Sequence, residues 1–105
     1  MHLLLVGMNH RTAGIDQREA LAFSREERLA ALRALAGEGG CAEALIVTTC
    51  NRTEFYVAAP DVAAADLRIR EAVCRLRNAD LLAPGPLRYA ASDGDAVRHL
   101  FRVAA

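Results

Sequence analysis

Residues 44–59 constrain the fold most, because two apolar, β-branched or aromatic stretches there are separated by six polar residues, Thr48-Thr49-Cys50-Asn51-Arg52-Thr53. Strand-forming residues on both sides of so short an interruption leave room for a tight connection and little else, so 44–47 and 54–59 are expected to pair as an antiparallel hairpin with Cys50 near its tip. A hairpin with apolar side chains must find cover for at least one face.

The rest of the chain supplies that cover. Residues 3–8 are a short apolar run that ends in Asn9-His10-Arg11-Thr12 and read as a buried strand. Residues 16–23 can hold a short helix. Ser24 and Glu27 then form a capping box for a second helix, whose expected apolar stripe is Leu29, Leu32, Leu35 and Ala36, with Gly37, Gly39 and Gly40 as its stop. Pro60 and Asp61 open a longer helix on which Val62, Ala65, Ile69, Val73 and Leu76 recur at three- and four-residue steps. After the Ala83-Pro84-Gly85-Pro86 loop, residues 87–90 read as a short strand. Ser92 or Asp93 caps a final helix with an expected stripe of Val97, Leu100, Phe101 and Ala104. On that wheel His99 falls opposite the stripe, beside Arg98 and Arg102, with its side chain available. The fold class is therefore α+β: a split β-α-β (ferredoxin-like) sandwich, β-α-β-β-α-β, plus a C-terminal helix.

A chain of 105 residues buries roughly 65% of its extended surface on folding, enough for one core, so residues 1–105 are read as one domain. Thirteen arginines, with no lysine, balance thirteen acidic residues. No global positive field therefore draws in a polyanion, and any nucleic-acid contact must be local. The opening MHLLLVGMNHRT is expected to be neither a signal peptide nor a membrane span. Because the last helical pattern runs to Ala105 without a capping signal, the sequence also reads as a piece of a longer protein.

Three cysteines without a CxxC spacing favour neither a disulfide framework nor a thiolate metal site, and fit a reducing, cytoplasmic compartment. Cys41 and Cys74 lie in or beside apolar patterns and are assigned to packing. Cys50 differs: Thr49 precedes it, Asn51 and Arg52 follow it, and a guanidinium within reach favours the nucleophilic thiolate. Arg52 either pairs with Glu54 as an ordinary surface contact or grips a substrate carboxylate through its fork of donors. His10, after the first strand, is placed to face the same end of the sheet; His2 is incidental. From the residues alone, two kinds of reading stay open: a thiol site with Cys50 as nucleophile, such as a thiol hydrolase or acyl carrier, and a binding module in which Cys50 is structural.

Three separated motifs narrow this. Gly7-Met8-Asn9-His10-Arg11-Thr12-Ala13 with the later Arg18-Glu19, Thr48-Thr49-Cys50-Asn51-Arg52-Thr53-Glu54-Phe55-Tyr56, and His99-Leu100-Phe101-Arg102-Val103-Ala104 together resemble the N-terminal catalytic domain of glutamyl-tRNA reductase. The resemblance implies that Cys50 is the nucleophile, with His99 beside the reaction centre. It implies that Thr49, Asn51 and Arg52 bind the glutamyl group, with His10 a further candidate. Gly14 stands where the family motif commonly has proline, which loosens the loop after Ala13.

The implied reaction is NADPH-dependent: a glutamyl thioester on Cys50 is reduced to glutamate-1-semialdehyde for tetrapyrrole (porphyrin) biosynthesis. The implied partners are glutamyl-tRNA as substrate, glutamate-1-semialdehyde aminomutase, and a second copy of the full-length protein in a homodimer; no membrane is implied. NADPH-binding and dimerisation domains would follow Ala105, so these residues alone are expected to bind no cofactor, to form no metal site and to act at most as a weak esterase.

Overall fold

The N-terminal apolar run becomes the centre of a sheet. The computed structural model describes residues 1–37 and 40–105. In chain order it contains β1 (His2–Asn9), α1 (Ile15–Ala20), α2 (Arg25–Ala36), β2 (Glu43–Thr49), β3 (Arg52–Ala59), α3 (Val62–Arg77), β4 (Tyr89–Ser92) and α4 (Asp93–Ala104). The four strands lie in the order β2-β3-β1-β4 with every neighbouring pair antiparallel. α1 and α2 carry the chain from β1 past β3 to β2, and α3 carries it from β3 past β1 to β4. Each crossover thus skips one strand, which is the interleaving of a split β-α-β sandwich.

Alternation along β1 and β3 divides the apolar residues between two faces. Leu4, Val6 and Met8 join Phe55, Val57 and Ala59 against Leu21, Phe23, Leu35, Ile69, Val73 and Leu82 beneath α1, α2 and α3. Leu5 and Tyr56 point the other way and meet Ala96 of α4. α4 therefore covers the opposite face of the sheet from the other three helices. Among the described residues the first cluster has sixteen buried members and the second three. At about 1.5–3 kcal/mol for each large apolar side chain removed from water, the first layer supplies most of the stability.

Local signals account for the helix ends. Ser24 accepts from Glu27 N at 3.2 Å while Glu27 Oε1 accepts from Ser24 N at 2.9 Å, completing the expected capping box. Asp61 accepts from Ala64 N at 3.2 Å at the start of α3, and Asn78, with φ 54°, closes its end through a bond to Cys74 O. Arg77, at the end of α3, donates to Ala20 O, Ala22 O and Glu27 and lies over the Phe23 ring, so one guanidinium fastens three helices. Arg88 spans the loop after α3 with two 2.7 Å bonds to Asp66.

The structure corrects several expectations from the sequence. The inward face of α2 is Ala31 and Leu35, and Leu29 is exposed, because Leu29 sits about 200° around the helix from Ala31. Of the glycines expected to stop α2, Gly37 is the cap and Gly40 has φ +69°, while Gly39 lies outside the described residues. β4 begins two residues later than expected, since Arg88 turns to Asp66 and Leu87 is exposed. Cys74 is exposed and outside the core, being one step round α3 from buried Val73.

α4 is rotated from its expected orientation. Ala96 is buried, His99, Leu100 and Val103 are half-buried, and Val97 and Phe101 are 39% and 70% exposed. The small Ala96 lets the helix sit close to Leu5, and a buried acceptor draws His99 inward. At the other end, Asp93, at φ 51°, accepts from Leu3 N at 3.0 Å and from His2 at 3.2 Å, tying the start of α4 to β1. No helix among the described residues is long and apolar enough to cross a membrane.

Candidate active site between the β2–β3 hairpin and α4

The hairpin register ends at Thr49 paired with Arg52, so Cys50 and Asn51 form a two-residue turn. Neither has a positive φ, and Cys50 therefore occupies the tip without the strain that primed turns impose on residues with side chains. Thr49 shapes the turn by accepting from Asn51 N at 3.2 Å. Behind it, the Thr48 and Thr53 hydroxyls meet at 3.1 Å and Thr53 Oγ1 donates to Leu21 O at 3.3 Å. The outer side is tied to the β1–α1 loop, where His10 N donates to Asn51 O at 2.9 Å. That loop is itself stapled: Asn9 Oδ1 accepts from Arg11 N, Asn9 N donates to Thr12 Oγ1, and Asn9 O accepts from both Thr12 N and Ala13 N. The Asn9-to-Thr12 motif is thus a turn-former that brings His10 to the hairpin tip. Cys50 is left exposed on a braced support.

One row of the sheet organises the space beside the tip. Across the strands run Val47, Glu54, Gly7 and Tyr89. A Cβ on Gly7 would lie 2.8 Å from Thr53 O and 2.9 Å from Glu54 Cγ, so the missing side chain is the space in which the Glu54 side chain lies. Glu54 is fully buried and accepts from Tyr56 Oη at 2.8 Å, from Tyr89 Oη, and from His99 Nε2 at 2.5 Å, with Arg52 Nη1 3.5 Å away. Burial, reinforced by the Glu54 carboxylate, pushes both tyrosine hydroxyls well above their ordinary pKa, which keeps them protonated donors. A carboxylate has only acceptors to offer, so His99 presents Nε2–H to it and leaves Nδ1 free. Arg52 and Glu54 are therefore not the ordinary surface pair that their spacing also allowed. His99, expected on the polar side of its helix, is instead pulled under it.

Two adjoining clefts open over this network. One of about 250 Å³ is lined by Asn9, His10, Arg11, Arg52, His99 and Arg102. The other, of about 430 Å³, shares Asn9, Arg11, His99 and Arg102 with it and extends past Tyr89 to Arg98. Of the residues singled out in the sequence, the structure brings Arg52, His10 and His99 to one cleft. Thr49, Cys50 and Asn51 form the adjoining tip and do not line it. Cys41 is buried, and burial pushes its thiol pKa up.

The sequence offers Glu54 only as a surface partner of Arg52 and gives no role to Tyr56, Tyr89 or Gly7. The signal for Glu54 and Tyr56 was the period of two that places Arg52, Glu54 and Tyr56 on one face of β3. Among the described residues, no group of three or more His, Cys, Asp or Glu side chains is placed to hold a metal ion. β1 reaches α1 through the stapled loop and β3 reaches α3 through Pro60 and Asp61, so neither strand leads through a glycine-rich turn into a helix.

Comparison with known proteins gives consistent matches. The family described as Glutamyl-tRNAGlu reductase, N-terminal domain, matches residues 6–105. A glutamyl-tRNA reductase of Marinobacter nauticus is 43% identical over 100% of this chain and 24% of its own length. The same-named protein of Syntrophotalea carbinolica is 36% identical over 99% of this chain and 24% of its own. The solved glutamyl-tRNA reductase from Methanopyrus kandleri superposes with a TM-score of 0.66 at 30% identity, covering 97% of this chain and 22% of that one. The chain thus spans about a quarter of the length of the curated relatives it matches.

Proposed function

This chain belongs to the glutamyl-tRNA reductase family, corresponding to its N-terminal domain, and on that premise we propose that Cys50 is the nucleophile that takes the glutamyl group from glutamyl-tRNA. The observation that carries the proposal is an exposed cysteine on a braced two-residue tip, followed two residues later by an arginine that shares a cleft with His10 and a held histidine.

The Cys50 sulfur attacks the ester carbonyl carbon, a C–S bond forms, and the bond to the ribose oxygen breaks. The thiol's proton ends on that oxygen, with Nδ1 of His99 as its carrier. Glu54 acts through His99, fixing its ring and tautomer, as carboxylates do for histidines that move protons. Arg52 offers its guanidinium fork to the carboxylate of the glutamyl side chain, while its contact with Glu54 sets the direction of the fork. Thr49 and Asn51 hold the shape of the tip, and His10 tethers it through its backbone.

NADPH, held by a domain of the full-length enzyme outside these residues, would supply the hydride for reduction to glutamate-1-semialdehyde, the C–S bond breaking to return the sulfur to Cys50. The same reading places the protein in the cytoplasm at the head of tetrapyrrole synthesis. There it dimerises through a further domain and passes its aldehyde to glutamate-1-semialdehyde aminomutase.

The test uses charged tRNA labelled in the glutamate. In the full-length protein without NADPH, label is expected on Cys50 and absent from Cys50→Ser. With NADPH added, semialdehyde should appear only from the full-length protein, whereas the 105-residue chain should release at most glutamate. Label transfer that persists in Cys50→Ser would remove the proposal.

A further inference from the structure

The two oxygens of the Glu54 carboxylate are not used alike. Oε1 accepts from Tyr56 Oη at 2.8 Å, whereas Oε2 accepts from both Tyr89 Oη and His99 Nε2, with Arg52 Nη1 3.5 Å away. Tyr89 and His99 therefore share one acceptor atom although they come from β4 and α4. The Tyr89 ring also lies against the imidazole, with centroids 5.3 Å apart and planes tilted by 46°. Register explains the meeting: Tyr89 stands opposite Gly7, beside the space that the missing side chain leaves to Glu54.

A hydrogen bond donated to a carboxylate stabilises its charged form and makes it a weaker base toward every other donor. Tyr89 can be such a donor throughout, because burial and then the Glu54 carboxylate push its hydroxyl well above the ordinary pKa and keep it protonated. We propose that Tyr89 is a positioning residue for acyl transfer, whose hydroxyl shares Glu54 Oε2 with His99 and so keeps Nδ1 of the imidazole open to the thiol's proton, while its ring sets the imidazole's tilt. This rests on the reading of His99 as the proton carrier and adds what governs its readiness to carry. Other charged groups face the imidazole as well. Arg52 on β3, His10 and Arg11 in the β1–α1 loop and Arg102 on α4 line the smaller cleft with it. Asp95, one turn earlier on α4, lines the larger cleft and is paired with Arg98. Tyr89→Phe removes none of these groups, so a change at His99 reports the lost hydroxyl.

The first measurement is the NMR titration of the His99 ring in the 105-residue chain, with His2 and His10 followed by their own ring signals. Tyr89→Phe keeps the aromatic ring and removes the donor. Left with fewer donors, the carboxylate is the stronger base, and the Glu54–His99 pair takes up its next proton at higher pH whichever member holds it. The midpoint should rise by about one pH unit, the tenfold effect of one lost bond to a charged group. Tyr56→Phe strips the other oxygen and leaves Oε2 both its donors, so it should move the midpoint in the same direction but less far. The second measurement is acylation of Cys50 in the full-length protein. Tyr89→Phe should be about tenfold slower than wild type on the acid side and recover as pH rises past the displaced midpoint, with the KM for glutamyl-tRNA unchanged.

A His99 midpoint in Tyr89→Phe that stays at the wild-type value or falls would overturn the proposal, as would an equal rise in Tyr56→Phe. Slow acylation that does not recover with rising pH would overturn it too, because that is what a merely structural defect produces. The underlying reading fails differently. A wild-type protein that is not acylated at Cys50, while the midpoint moves as expected, would remove the nucleophile and leave the coupling of Tyr89 to His99 in place.

Discussion

Replacing Gly7 by alanine tests whether the centre of the sheet was vacated for a buried carboxylate. The new methyl would sit 2.8 Å from Thr53 O, 2.9 Å from Glu54 Cγ and 3.1 Å from Glu54 Cα. β1 is flanked on both sides at this residue, paired in register with Glu54 of β3 and with Tyr89 of β4, so neither backbone can recede. Overpacking of this kind costs about 1–3 kcal/mol, offset by about 0.4–1 kcal/mol from the stiffer unfolded chain. Swinging Glu54 off its tyrosine and histidine donors adds about 1–3 kcal/mol for buried groups left unpaired. The net expectation is a loss of about 2–4 kcal/mol, read as a lower urea midpoint at unchanged slope. Gly94→Ala in the first turn of α4 is the control. Its Cβ meets nothing closer than 3.9 Å, and it should stabilise by about 0.5–1 kcal/mol. The His99 ring resonances should also move in Gly7→Ala and stay put in Gly94→Ala. A Gly7→Ala chain that unfolds at the wild-type urea midpoint, or that keeps the wild-type His99 spectrum, would refute the argument.

Three further outcomes follow from named contacts. Site-resolved alkylation should label Cys50 and Cys74 well before Cys41, which is buried with its thiol pKa raised; Cys50 should lead Cys74 in wild type and fall to its rate in Arg52→Ala, and equal rates in wild type would deny Arg52 any part in activation. Arg52→Lys should slow acyl transfer to Cys50 about ten- to hundredfold through loss of one of two charge-assisted bonds, whereas an undamaged enzyme would show that the arginine is no fork. The Glu27 carboxyl is lowered to about 2, chiefly by Arg77 and then by Ser24 N. Its contribution is therefore complete above about pH 4.5 and lost as pH falls toward 2. With both side chains partly in water, solvent screening leaves about 1 kcal/mol. Urea unfolding at pH 7 and pH 3 should show wild type losing that much more than Glu27→Gln, and equal losses would contradict the assignment.

The sequence discloses what depends on local chemistry. The hairpin, the Ser24 capping box, the α3 stripe and the position of Cys50 all follow from period, turn residues and caps, and the structure has them where they were expected. What it conceals depends on which face a neighbour supplies. Hydropathy alone places Val97 and Phe101 on the buried stripe of α4. The helix instead turns inward on Ala96 and His99, because an acceptor from β3, forty-five residues away, lies beneath it. Glu54 looked like the exposed partner of Arg52 because glutamate is seldom buried without partners. Its partners are two tyrosines and a histidine drawn from β3, β4 and α4, and no local window contains them all. Gly7 is legible only once the register sets it opposite Glu54.

The placement of α4 has a consequence for motion. Among its described residues the helix buries only Ala96 completely, and it is fastened at Asp93 and His99. The β1–β3 pair, by contrast, stands at the centre of the main core. Its amides should exchange with solvent through local opening at a fraction of the global unfolding free energy, while those of β1 and β3 wait for the whole domain to unfold. The proposed site therefore lies on a seam between parts that come apart at different costs, with Arg52 of β3 on the durable side and His99 of α4 on the yielding one. A substrate bound there would hold that seam shut, and part of its binding energy would be measurable as slowed exchange along α4, far from the thiol itself.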